Sequence, residues 1–510
     1  MIPLMNLSFL PRPLGALLLL ALALRVAAAA NTSVINHDGA RFTMSARAIR
    51  AGDWETALNV EPRMPPLYPI AIAGLSKVTG SLGLAGTLIS VLCGTLLVVP
   101  VYLLSRAIWD GSVAFLAGFV VAILPDLALN SGDVWTEPLF FLLFFVSAAA
   151  TWFAGERPAL WKFAVAGLAG GLAVLTRPEG LYTLAAILGW GGVVFWIRRR
   201  EPEGRALRVA GPLLAALIWV AVLFPYANWI HQRFGFWSPT ANQFAVKLLG
   251  RPNVEHSYTE GYRINASEDF EAGRDQKALG SAPGLAWYAI KTYLRAGAYV
   301  FPFFLILGLF HLRRSAGLRR GITYLILLGL GYAIPTWIGL GAGLPFDDRF
   351  ALPTFIALAP VIAIGMREAW ERLSAAWTPE RRMRIGIAAL ALLVLGCSVK
   401  CFAPRSHRRL TLADAGRWIR EKYGPDRRIL TMDRRVEHYA DAWSERLPPT
   451  FDETRRLVAS QGSVAIVLYD PYVERHEQGF EEKLAAAYPK VHTIPKSDRG
   501  HEVRIYEVRP

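Results

Sequence analysis

The chain has only three cysteines in 510 residues. Cys93, Cys397 and Cys401 all fall in apolar runs and read as small residues in lipid, so a disulfide framework and a cysteine zinc site are excluded. Histidine is scarce too, at nine, and neither an H-x-x-x-H nor a D-x-D spacing occurs, so no motif supports a metal centre. No Gly-rich phosphate loop is present, and nothing in the sequence requires a nucleotide. Internal repeats and low-complexity tracts are missing as well.

What the chain has in excess is apolar surface and arginine. Hydrophobic residues make up 53%, more than a soluble chain of this length normally carries. Apolar runs of about 20 residues recur with few charges inside them, the length needed to cross a hydrocarbon core. The spacing predicts eleven crossings, at 13–30, 84–107, 111–129, 138–155, 161–176, 180–197, 208–230, 288–311, 321–342, 350–367 and 385–402. Arg25 inside the first run argues for a retained helix over a cleaved signal core. The apolar segment 65–80 is short and reads as an interfacial helix.

The net charge is +15, yet the arginines form no single basic face. They cluster at 198–208, 313–320 and 381–384, between apolar runs, which is the positive-inside pattern and places those loops in the cytoplasm. The first outer loop, 31–83, then lies outside with 130–137, the 176–180 turn, the long loop 231–287 and 343–349. From about 404 the composition changes to alternating helices and strands, with strands at "RRILTMD", "SVAIVLYD" and "HEVRIYEV". The expected architecture is mainly α: a polytopic membrane domain over 1–403 and a small extracytoplasmic α/β domain over 404–510.

Ionisable residues gather at the outer face. Asp38 opens a helical run and reads as its N-cap, but Arg41, Arg47 and Arg50 follow it, and nearby cations keep an acid charged and able to serve as a base. Glu137 stands at the lipid boundary just before Pro138, with Asp133 as a solvated companion. Arg177 and Glu179 share a tight turn, and Arg349 follows Asp347 and Asp348 in another. Arginines converging at this depth suit a phosphate, and Lys291 and Arg295 are candidates to join them. His231 or His256 of the long loop could complete a divalent metal site with Asp38 or Glu137.

The ordered series "HDGARFTMSARAIRAGDW", "MPPLYP", "SVLCGTLLVVPVYLLSRAIW", "WTEPLF", "LTRPEGLY" and "DDRFALP" resembles the GT-C superfamily of membrane glycosyltransferases over residues 10 to 370. The nearest flavour is the protein-mannosyltransferase-like branch, which includes aminoarabinose transferases and Rgt-type transferases. The resemblance implies a polyprenyl-phosphate sugar donor and transfer to an envelope lipid, glycan or protein outside the plasma membrane. It implies Asp38 as the catalytic acid of the first outer loop and Glu137 as that of the second. Where family members often carry an acidic pair in the first loop, this chain has His37 beside Asp38. Arg63 and Met64 precede its Pro-Pro, which makes Arg63 a further candidate for the donor phosphate. Two rival classes are a transporter or flippase, which would need ionisable groups at the bilayer midplane, and a non-catalytic envelope assembly protein.

Overall fold

The computed structural model describes residues 12–60, 62, 64–241, 282–314, 319–341, 346–405, 409–470, 473, 476–496 and 501–508. In chain order the helices of the membrane part are α1 (Arg12–Ala30), α2 (His37–Arg50), α3 (Trp54–Asn59), α4 (Leu67–Thr79), α5 (Leu82–Leu96), α6 (Val98–Ile108), α7 (Gly111–Ile123), α8 (Pro125–Ser131), α9 (Glu137–Glu156), α10 (Leu160–Val174), α11 (Tyr182–Ile197), α12 (Arg205–Phe234), α13 (Ala282–Ala296), α14 (Phe301–Arg314), α15 (Arg319–Gly341), α16 (Asp348–Leu373) and α17 (Pro379–Phe402). A 3₁₀ turn, Pro178–Leu181, leads into α11.

Among the described residues, eight stretches are long and apolar enough to cross a membrane, and two bent helix pairs, each taken as one span, bring the number to ten. The expected crossing at 161–176 is α10, whose 15 residues are short for a bilayer. At 13 residues α4 is too short to cross. The protein is thus a multi-pass membrane protein of mainly helical fold. One expected straight span, 288–311, is corrected: α13 and α14 meet at 97°. The corner is Gly297 to Val300, where Ala298 (φ 51) and Tyr299 (φ 59) adopt left-handed backbone and Pro302 opens the next helix.

A second break has a partner across the bundle. The α7–α8 pair bends by 56° at Leu124. Pro125 has no N–H to give the Val121 carbonyl, so the end of α7 is left with orphan acceptors. The fully buried Arg25 supplies donors: its guanidinium reaches Ala122 O at 3.1 Å and Val121 O at 3.3 Å, and its own-helix Ala21 O at 3.0 Å. The arginine that interrupts the first apolar run therefore satisfies backbone that lipid could not. Elsewhere, close backbone approach holds the bundle. A Cβ on Gly365 of α16 would fall 1.9 Å from Phe304 O of α14, so only glycine fits at that crossing.

The C-terminal part comprises α18 (Leu410–Tyr423), β1 (Arg428–Thr431), α19 (Arg434–Ala440), β2 (Trp443–Arg446), α20 (Phe451–Gln461), β3 (Ala465–Tyr469), α21 (Phe480–Ala487), β4 (Lys490–Ile494) and β5 (Val503–Glu507). Its sheet order is β2-β1-β3-β5-β4, with β1 parallel to both neighbours and β5 antiparallel to both of its own. The continuous apolar run Ala465–Tyr469 is buried on both faces, as a central strand requires. A parallel bridge between Thr32 and Arg405 ties the start of the first outer segment to the end of α17.

Candidate active site

The site forms where four separate segments end on one side of the bundle. The first is α2. Its N-cap is Asn36, whose side chain accepts the Gly39 N–H at 2.7 Å and whose amide donates to Val134 O at 2.8 Å. This corrects the reading of Asp38 as the cap: Asp38 lies inside the first turn, and its carboxylate points to other partners. A Cβ at Gly39 would lie 2.9 Å from Val134 O, so glycine lets the helix press against the 133–136 loop. That contact brings Asp38 and Glu137 into one site.

Arg349, at the start of α16, stands between the two acids. Its Nη1 is 3.9 Å from Asp38 Oδ2 and 3.5 Å from Glu137 Oε1. Its Nε donates to Asp347 Oδ2 at 2.8 Å, and its guanidinium lies 4.8 Å over the Trp135 ring. Arg177, from the turn after α10, donates to the same oxygen of the buried Glu137, with Nη1 to Oε1 at 2.5 Å, and pairs with Glu179 at 2.8 Å. Arg41, one turn along from Asp38, bonds its Oδ1 at 3.2 Å and approaches His37 Nε2 at 3.0 Å. Three guanidinium groups thus interleave with four carboxylates, an arrangement that lets a second anion approach by exchanging partners.

Burial alone would raise the Asp38 carboxyl, but Arg41 and Arg349 outweigh it and hold the group below its ordinary value. It is therefore ionised at neutral pH. His37 is pushed down to about 4 by burial and by Arg41, so it is neutral there. Asp133, expected in solvent, is buried; its Oδ1 accepts the Val134 N–H at 2.7 Å and the Asn36 N–H at 3.4 Å, and burial raises its pKa.

Asp38, Glu137, Arg177 and Arg349 come together. Arg295 instead pairs with Asp348 at 3.1 Å, next to the cluster, and Lys291 is exposed one turn before it. His231 stacks on Trp237 at 4.5 Å, at the far end of α12. Arg63 and His256, the latter with Glu137 the candidate metal pair, lie outside the described residues. The described part of the site does not fit a divalent ion: a guanidinium occupies the space between Asp38 and Glu137, and no group of three His, Cys, Asp or Glu ligands forms among the described residues. Two contributors escaped sequence reasoning. Asn36, three residues before Gly39, carried a capping signal masked by the adjacent Asp38. Trp135, the shelf for Arg349, had none beyond its place beside Glu137.

Residues 63–229 match the family described as dolichyl-phosphate-mannose-protein mannosyltransferase. No curated protein matches the chain in sequence. In structure the chain resembles ArnT from Cupriavidus metallidurans bound to undecaprenyl phosphate, with TM-score 0.62 and 13% identity, covering 96% of this chain and 97% of that one. It also resembles the Archaeoglobus fulgidus oligosaccharyltransferase in complex with Zn and sulfate, with TM-score 0.59 and 15% identity over 96% of this chain and 72% of that one. The chain thus shares the fold of these two membrane proteins along almost its full length, with the family match lying within it at residues 63–229.

Proposed function

We propose that the protein transfers a sugar from a polyprenyl-phosphate donor to a hydroxyl of an envelope lipid, glycan or protein on the extracytoplasmic face of the plasma membrane. The observation that carries this reading is the position of Arg349, within 3.9 Å of both the ionised Asp38 and Glu137. Asp38 accepts the proton of the acceptor hydroxyl as its oxygen attacks the anomeric carbon. The anomeric C–O bond to phosphate breaks, and the polyprenyl phosphate leaves with the bonding pair. Arg349 and Arg177 stabilise the charge that gathers on the phosphate, in a site walled by Trp135 and Phe350. Glu137 holds both guanidinium groups in place from a buried position. Lys291, exposed on α13, and Arg295, paired with Asp348 beside the cluster, are further candidates to meet the lipid phosphate.

Helix direction supports this sidedness. Between Arg177 and Arg198 the chain runs through α11, whose 16 residues rise about 24 Å, so the arginine-rich loop at 198–208 sits at the opposite end of the bundle from the site. Together with the positive-inside pattern, this supports a site on the outer face. The ArnT structure holds undecaprenyl phosphate and an A. fulgidus oligosaccharyltransferase structure holds a dolichol-phosphate, which supports a lipid-phosphate carrier here. A transporter would carry uncommitted ionisable groups at the midplane; Arg25 instead donates to backbone carbonyls.

The test is a strain deleted for this gene, with its envelope glycans and glycolipids compared with the parent by mass spectrometry. The reading predicts one molecule shortened by one sugar, restored by the wild-type gene. An unchanged profile would overturn it.

A further inference from the structure

The C-terminal domain grips the helix that carries Asp38, and does so from behind. Arg47, in the last turn of α2, donates to Ala442 O at 2.5 Å and Asp441 O at 2.8 Å, pairs with Asp426, and lies 4.6 Å over the Trp443 ring. One turn earlier, Thr43 Oγ1 meets His438 Nδ1 of α19 at 2.9 Å. Ahead of the helix, Ile35 N–H donates to the Tyr439 hydroxyl at 3.1 Å. At 100° per residue, Thr43 and Arg47 stand about 140° and 180° around the helix from Asp38. Through these contacts the domain holds α2 on the face opposite Asp38.

We propose that Arg47 is a positioning residue for Asp38, and that the C-terminal domain, through Arg47 and the Thr43–His438 contact, sets the rotation of α2 that aims Asp38 at Arg349 and at the acceptor. Its two carbonyl bonds fix that rotation as a single ammonium could not. Ground-state capture of the lipid phosphate falls to Arg349 and Arg177, on other segments, so losing Arg47 lowers turnover and leaves carrier binding intact. This inference rests on the transferase reading.

The experiment uses the full-length chain in membranes of the deletion strain, with transfer read as the sugar-bearing envelope product by mass spectrometry. Purified protein is assayed in parallel for undecaprenyl phosphate binding by thermal shift. Arg47→Ala is expected to lower product formation tenfold or more while undecaprenyl phosphate binding stays within twofold. Adding Thr43→Cys and His438→Cys to Arg47→Ala should clamp α2 to α19 by a disulfide, restoring product, and reductant should remove that gain. Wild-type product from Arg47→Ala, or a formed disulfide that restores nothing, overturns the inference. Asp38→Asn is the companion arm: if it is inactive while Arg47→Ala is fully active, the positioning role alone fails; if both are active, the transferase reading fails with it.

Discussion

At the residue scale, the two acids of the site have different work and so different mutational signatures. Asp38 is partly open and held ionised by Arg41 and Arg349, so Asp38→Asn keeps the shape and the hydrogen-bonding capacity but removes the proposed base. Transfer should fall roughly 10²–10⁴-fold with little change in thermal midpoint. Glu137 has a side chain only 2% exposed, between two guanidinium groups. Glu137→Gln leaves those cations under-compensated, and should cost roughly 1–3 kcal/mol of stability as well as activity. Thermal unfolding in detergent distinguishes the two; equal midpoints for both variants would contradict this division of labour. His438 gives a pH signature. Burial lowers its pKa to about 4 from an ordinary 6.5, so the unfolded chain takes up a proton that the folded one refuses, and stability drains away as pH falls from about 6.5 towards 4. Gln in place of His438 should make the midpoint less sensitive to acid across that window; an unchanged pH slope would show that His438 is not the group responsible.

At the scale of elements, the sequence was legible wherever one physical cause dominated. Long apolar runs gave helices such as Arg12–Ala30 and Glu137–Glu156 close to their expected bounds. The buried strand "AIVLY" was equally plain. The edge strands Trp443–Arg446 and Lys490–Ile494 were not, because "WSER" and "KVHTI" are short and mixed in polarity, and their strand character comes from pairing with a neighbour. The right-angle corner between α13 and α14 was hidden for a related reason: apolar composition measures length in lipid and says nothing of direction. The break between α7 and α8 was signalled by Pro125, but its partner Arg25 lies 96 to 97 residues from the carbonyls it satisfies, and no local pattern joins them. Arg25→Leu leaves Val121 O and Ala122 O without those donors in a dry core, and should lower the thermal midpoint by an amount equivalent to roughly 2 kcal/mol or more. A midpoint equal to wild type would mean that the break is held by other contacts.

At the scale of the whole molecule, the alternation of helices brings the 31–59 segment, the 133–137 loop, the 177–180 turn and the start of α16 to one end of the bundle, and the arginine-rich loops to the other. The four central site residues, Asp38, Glu137, Arg177 and Arg349, were legible as candidates, yet their mutual geometry was not: that Arg349 stands between the acids follows from how α2 and α16 pack, which spacing along the chain does not encode. Nor did the sequence disclose that the C-terminal part would dock on the back of α2. The account as a whole rests on a water-accessible base aimed at a lipid-phosphate sugar. Its most direct test is a chromosomal Asp38→Asn allele, with the protein present at wild-type level, and mass spectrometry of the envelope molecule that deletion shortens. The account predicts that this allele lacks the same sugar as the deletion; a fully glycosylated molecule would contradict it.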